Sequence, residues 1–236
     1  MIKVKIADLP IAIDNKYSHI ERLAADYLTD EEPLFTVCAT DEDIEAERIA
    51  SEHDFHPSYL EAVVIYRKIA IRLPEYGAVV LHGAVLNLDG VAYAFTARSG
   101  VGKTTHTRLW LRCFGERVHY LNGDKPIVRF VDGVPYAYGT PWCGKEGYGV
   151  NERAPLRGIA FLERGEKNSA RIVEPDEVTM SLVSQVYIPK TGVGAALAMG
   201  ICDRLLSSVR LVKLKCNMEL KAAEVSALAL TAENRI

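Results

Sequence analysis

Ala97-Arg98-Ser99-Gly100-Val101-Gly102-Lys103-Thr104 decides how the rest of this chain is read. The stretch fits [AG]-x-x-x-x-G-K-[ST], the pattern of a phosphate-binding loop. Such a loop turns successive backbone N–H groups around phosphates, its lysine reaches the β- and γ-phosphates, and its last hydroxyl ligates Mg2+. The cradle predicted here is Ser99, Gly100, Val101, Gly102, Lys103, Thr104 and the following Thr105, with Thr104 on the metal. The flanks agree. Val91–Thr96 is short and apolar and follows the turn Leu88-Asp89-Gly90, so it reads as a buried strand. His106–Phe114 reads as a helix, which sets phosphate at a helix N-terminus. The plain alternative is a Gly-rich turn capping a helix.

Composition narrows the class. A chain of 236 residues buries a sizeable core as one domain, with room for a small appended lobe. Hydrophobic residues at 49% and charged residues at 25% are ordinary for a soluble globular protein. Net charge is −3 and the Lys and Arg are scattered, which argues against a nucleic-acid partner. No apolar run approaches the ~18 residues that span a bilayer, so no membrane association is expected. Met1-Ile2-Lys3-Val4-Lys5 lacks the apolar core of a secretory signal. Cys38, Cys113, Cys143, Cys202 and Cys216 are widely spaced and odd in number, neither a disulfide framework nor a C-x-x-C metal pattern. A cytoplasmic setting is expected.

Along the chain, 2–7 and 34–39 read as strands around 15–28, which suits loop or helix. Asp41–His53 reads as a solvated helix. A stronger helix starts at Ser58, with Glu61 at capping-box spacing, and ends by Pro74 and Gly77. Strands follow at 78–81, 84–88 and 91–96, then at 117–121, 126–131 and 134–139. Asp132-Gly133 joins the last two as a hairpin. Residues 139–153 read as a long loop, 156–163 as a strand, 175–186 and 192–208 as helices, 209–215 as a strand and 218–230 as a terminal helix. The expectation is α/β, tending to α+β, with a mixed sheet flanked by helices. It is one domain over 1–236, comprising a P-loop core at 77–236 and, as an option, a small N-terminal lobe at 1–76.

Phosphoryl transfer needs a carboxylate to hold Mg2+ opposite the loop hydroxyl. Asp124, in Leu121-Asn122-Gly123-Asp124-Lys125, follows the strand after the loop's helix and is the candidate; an ordinary turn aspartate is the alternative. His82 closes the apolar strand Val80-Leu81. A hairpin through Leu88-Asp89-Gly90 would bring it toward the loop, although a core histidine is the default. His106 reads as exposed helix and His119 as a packing residue. Thr140–Gly149 mixes glycines with Trp142 and Lys145. It reads either as a substrate-covering lid or as a solvent loop anchored by Trp142. Cys143 has no base placed near it by sequence. Arg157 either reaches the transferring phosphoryl or faces solvent.

In this order the residues resemble the phosphoenolpyruvate-carboxykinase-like superfamily, and within it the catalytic domain of HPr kinase/phosphorylase and its shorter relatives. Leu81-His82-Gly83 leading to Ser99-Gly100-Val101-Gly102-Lys103-Thr104 is similar to that family's H-G…S-G-x-G-K-[ST] run. Gly123-Asp124 stands where the family places an Asp-Asp pair, and Arg157-Gly158 resembles its R-G signature. The resemblance covers roughly 78–163. It departs at Ala97, in place of a first glycine, and at the acid pair, reduced here to one. It implies an ATP- and Mg2+-dependent kinase acting on a serine-like hydroxyl of a peptide, protein or small molecule. In that reading His82, Lys103, Asp124 and Arg157 are catalytic, Thr104 and Asp124 hold the metal, and Trp142 and Lys145 belong to the substrate loop. His82 serves as base, base partner or second metal ligand. Two other readings stay open: a non-catalytic nucleotide sensor, motivated by the missing acid, and a carboxykinase-like enzyme. Oligomer formation is also left open.

Overall fold

The computed structural model describes residues 1–190 and 192–232. The chain forms two compact units, Met1–Leu73 and Pro74–Ile236.

In the first unit β1 (Ile2–Ile6) and β2 (Leu9–Asp14) form a hairpin, and β3 (Phe35–Cys38) lies parallel to β2. Between them come α1 (His19–Leu23) and a 3-10 turn at Ala25–Tyr27, so both halves of the loop-or-helix expectation are present. α2 (Asp41–Ala50) begins with a capping box, Thr40 Oγ1 accepting from Asp43 N–H while Asp43 accepts from Thr40 N–H. α3 (Pro57–Arg72) starts earlier than the Ser58 spacing implies. Its cap is His56, whose Nδ1 accepts the Ser58 N–H, and Pro57 opens the helix. Glu61 is no cap. It is fully buried, and its carboxylate accepts the backbone N–H groups of Lys16 (2.6 Å) and Tyr17 (3.1 Å).

The second unit is built on a mixed sheet. Its strands are β4 (Ala78–Val80), β5 (Ala84–Leu88), β6 (Val91–Thr96), β7 (Val118–Asn122), β8 (Ile127–Val131), β9 (Val134–Tyr138), β10 (Arg153–Arg164), β11 (Ser169–Ile172) and β12 (Arg210–Cys216). The path runs β4-β8-β9-β10-β6-β5-β7, with β12 against β10 and β11 against β12. Asp89-Gly90 and Asp132-Gly133 both have positive φ and join strands whose last residues pair directly, which is the type I′ arrangement. β10 is the hinge of the architecture. Arg153–Pro155 pair antiparallel with β9; beyond an irregularity at Leu156–Gly158 the strand runs parallel to β6 and to β12. Leu121 and Asn122 of β7 meet Val150 and Thr140 just past β9, so the two arms of the sheet curl toward each other.

Helices cover both faces. On β6, Ala92 and Ala94 face α5 (Thr179–Val183) and α6 (Gly192–Ser208); Tyr93 and Phe95 face α4 (Lys103–Phe114) and α7 (Lys221–Thr231). Burial on both sides is why β6 reads as a continuous apolar run. Trp110 of α4 packs edge-on against Phe95 at 5.0 Å, and Thr107 Oγ1 meets the Tyr120 hydroxyl at 2.7 Å. Among the described residues no helix is long and apolar enough to cross a membrane.

Candidate functional site

β6 ends at Thr96, fully buried, whose hydroxyl donates to the His82 carbonyl at 3.0 Å. The chain then makes the loop. Gly100 and Gly102 have φ of 79° and 122°, values an L side chain resists. Gly102 is the N-cap of α4 and no side chain caps that helix, so its first N–H groups stay open to an anion. Lys103 is already the first helical residue, three positions before the predicted start at His106. Its Nζ reaches back across the loop to the Ala97 carbonyl at 3.0 Å. Burial pulls its proton affinity below that of a free lysine, and Asp124 opposes the shift, so the ammonium and that carboxylate are close. Arg164, at the end of β10, donates to the carbonyls of Val101 (3.3 Å) and Gly100. In a trans peptide the N–H points opposite the carbonyl, so turning Val101 C=O toward Arg164 aims the Gly102 N–H to the other side. Thr104 is half-buried in the first turn of α4 and Thr105 is exposed.

Asp124 is positioned by Asn122. The Asn122 side chain is buried; its Oδ1 accepts the N–H groups of Asp124 (2.9 Å) and Lys125 (2.7 Å), and its Nδ2 donates to Thr140 Oγ1 (2.9 Å). The Asp124 carbonyl accepts the Gly83 N–H at 3.0 Å, which joins the end of β7 to the start of β5. As a result, His82 Nε2 lies 3.7 Å from Asp124 Oδ1, and Lys125 Nζ lies 4.0 Å from Oδ2. His82 is half-buried. Burial first, and Lys103 second, push its imidazole below the usual histidine value; Asp124 and the Gln185 side chain push the other way. The net direction favours a neutral ring at pH 7. His82, Lys103, Asp124 and the open end of α4 thus share one place. Beside them, between the ends of β6 and β10 and the α5 segment, opens a cleft of about 750 Å3 lined by Thr96, Arg98, Arg164, Met180, Gln185 and Lys213.

The remaining expectations divide: the solvent-facing Arg157, the packed Trp142 and the inactive Cys143 fit the structure, whereas the phosphoryl contact for Arg157, the exposed His106 and the packed His119 do not. Arg157 is not brought to the loop. It lies at the start of β10, in the irregularity opposite Ala92 and Tyr93. Thr96 is three to four residues further along, or about 10–13 Å. Arg157 lines a separate hollow with Tyr93 and Arg210, because parallel pairing puts the beginnings of β6 and β10 at the far end of the sheet. Residues 139–152 are tied down. Gly123 N–H donates to the Tyr148 carbonyl (2.7 Å), Val150 N–H to Leu121 (3.1 Å) and Gly139 N–H to Glu152 (2.9 Å). Tyr148 stacks on Tyr120 at 4.5 Å. Trp142 is buried, a packing position, while Lys145 is exposed. Burial raises the Cys143 thiol above its usual range, which disfavours the thiolate. His106 is buried rather than exposed, against Ser226 of α7. His119 is exposed rather than packed, with Nε2 2.9 Å from Glu152 Oε2.

Sequence reading missed Asn122, Arg164 and Gln185. Asn122 carried a usable signal, since an Asn two residues before Asp124 in N-G-D forms this side-chain turn. Arg164 and Gln185 reach the site only through tertiary structure.

No protein-family model matches the chain, and no curated protein matches it in sequence. Among solved structures it is similar to the Hpr(Ser) kinase/phosphatase from Coxiella burnetii, at 10% identity and a TM-score of 0.35, over 63% of this chain and 92% of that one.

Proposed function

We propose that the chain is a kinase that transfers the γ-phosphoryl group of ATP to a serine-like hydroxyl of a peptide, protein or small molecule. One observation carries this reading: a half-buried lysine at an uncapped helix N-terminus, held beside a carboxylate and a histidine. The unit from Pro74 onward supplies these groups and is the catalytic core; the first unit is an accessory lobe.

The donor set suits Mg2+ with ATP. Among the described residues no three His, Cys, Asp or Glu side chains converge to hold a metal by themselves. A Mg2+ would therefore rest on Asp124 and Thr104, with phosphate oxygens and water completing its shell, as this ion ordinarily does. When bound, the ion neutralises charge on the β- and γ-phosphates. Lys103 and the open N–H groups of α4 bind the phosphates and orient them. Asn122 and Gly83 fix Asp124. In the transfer, the acceptor oxygen bonds to the γ-phosphorus, the bond from that phosphorus to the bridging oxygen breaks, and ADP leaves with the electron pair. The hydroxyl proton passes to His82 Nε2, which the neutral ring can accept. The products are a phosphomonoester, ADP and a proton.

A second reading has its own observation. Asp124 stands between Gly123 and Lys125, so a second acid is missing from this turn. That suits a nucleotide sensor that binds without turnover. The test is incubation of the purified chain with Mg2+, γ-labelled ATP and a panel of hydroxyl-bearing peptides and small molecules. Label in a phosphomonoester, absent with Lys103→Ala, supports the kinase. Tight Mg·ATP binding with no transfer supports the sensor. Failure to bind nucleotide refutes both.

A further inference from the structure

Gln185 follows α5 and is far from the loop in sequence, yet it touches the centre of the site. The His82 N–H donates to the Gln185 carbonyl at 2.7 Å. The pairing continues on either side: Leu81 bridges Val186, and Tyr187 N–H donates to the Val80 carbonyl at 3.0 Å. The α5 segment is thus laced to the strand end that carries His82. The Gln185 side chain also has a fixed sense. Its Nε2 donates to the Ser184 carbonyl (3.1 Å) and Ser184 Oγ (3.2 Å), which makes the other carboxamide atom the oxygen. That Oε1 is buried and lacks a hydrogen-bond partner of good geometry. The Gln185 side chain lies close enough to the His82 imidazole to favour its protonated form. A buried carbonyl oxygen without a donor is costly, so a neighbouring N–H is strongly preferred.

The imidazole has two nitrogens. Nε2 is the one turned to Asp124, at 3.7 Å. Nδ1 is the ring nitrogen closer to the main chain, whose N–H is already bonded to the Gln185 carbonyl. We infer that Gln185 is a positioning residue: its Oε1 takes the Nδ1–H of His82, which fixes the ring's rotation and leaves Nε2 bare toward Asp124. Asp124 alone would favour the opposite tautomer, with the proton on Nε2 and nothing left there to accept another. The charged groups facing the ring are Lys103 from α4 and Asp124 and Lys125 from the turn after β7; neither lysine supplies an acceptor for Nδ1. The inference rests on the kinase reading only for the use made of Nε2. The tautomer itself is a property of the ligand-free chain.

Two measurements test it. The first is 15N NMR of histidine-labelled, ligand-free protein, with His82→Gln assigning the resonance. Wild type shows His82 protonated at Nδ1. Gln185→Met, apolar and of similar size, shifts it to Nε2 or to a mixture, while Gln185→Glu, which keeps an acceptor oxygen, retains Nδ1–H. The second is kinetics on the acceptor found above. Gln185→Met lowers kcat by about 10–100-fold and leaves Mg·ATP affinity within about threefold, and Gln185→Glu recovers most of the loss. An unchanged His82 tautomer in folded Gln185→Met overturns the inference, whatever the activity. Should Gln185→Met fail to fold, wild type and Gln185→Glu decide it, and an Nε2–H tautomer in wild type overturns it. Loss of Mg·ATP binding in wild type strikes the kinase reading and leaves the tautomer result standing.

Discussion

Acid should loosen the chain through one buried residue, His106, in α4 just past the loop at 99–105. His106 is 2% exposed, packed by Phe95 and facing α7. Ser226 Oγ gives its one proton to the Ala223 carbonyl (3.0 Å) and accepts from Trp110 Nε1 (2.8 Å), so its 3.0 Å contact with His106 Nε2 requires the proton on Nε2. Nδ1 is then a bare, buried acceptor with no partner. Protonating it would put an unpaired cation in an apolar wall, and burial accordingly pushes the imidazole down to about 4. The unfolded chain takes up this proton near pH 6.5 and the folded chain does not. Stability is therefore full above pH 6.5 and falls as pH drops toward 4. With those two values the loss reaches about 2.5 kcal/mol at pH 4.5. The assay is urea unfolding at pH 7.5 and 4.5 for wild type and His106→Gln, which keeps a donor for Ser226 without a titrating ring. Carboxylates titrate in both proteins, so the difference between them isolates His106. Wild type should lose about 2.5 kcal/mol more than the variant over this interval. Parallel losses would refute the assigned burial and tautomer.

Gly139→Ala should destabilise by about 3 kcal/mol or more, because a Cβ there would lie 1.7 Å from the Val150 carbonyl oxygen and 2.7 Å from that of Leu121; thermal unfolding within 1 °C of wild type would contradict the close approach. Asp124→Asn should keep Mg·ATP affinity within about tenfold and lower transfer by roughly two orders of magnitude or more, since alignment matters most in the transition state. Single-turnover kinetics at wild-type rate would place the metal carboxylate elsewhere.

The sheet's centre was legible because β5, β6, β8 and β9 combine apolar runs with Asp-Gly turns, and such turns set register locally. The same hairpin signal brought His82 toward the loop on paper; its 3.7 Å approach to Asp124 needed the Gly83–Asp124 backbone contact, which no local pattern shows. β2 escaped because its turn is Ala7-Asp8, with positive φ at two residues that do not advertise it. β11 escaped because it is a four-residue edge strand, mostly exposed and too short for its alternation to stand out. The α4 start was misplaced because the loop and the helix are one element, with Gly102 as its cap. Arg157 was misjudged because its distance from the loop depends on parallel register across β6 and β10, and nothing local encodes that. His106 reads as surface until α7, 120 residues on, is packed over it.

Titration calorimetry of Mg·ATP into wild type and Lys103→Ala tests the central claim most directly. Lys103 is the cation fixed inside the loop, and its ammonium has a backbone carbonyl and a shared carboxylate for company. Wild type should bind, and the folded variant should bind weaker by about 2–3 kcal/mol, roughly 30- to 150-fold. Equal affinity in the two proteins, or no binding by wild type, would contradict the phosphate-loop account.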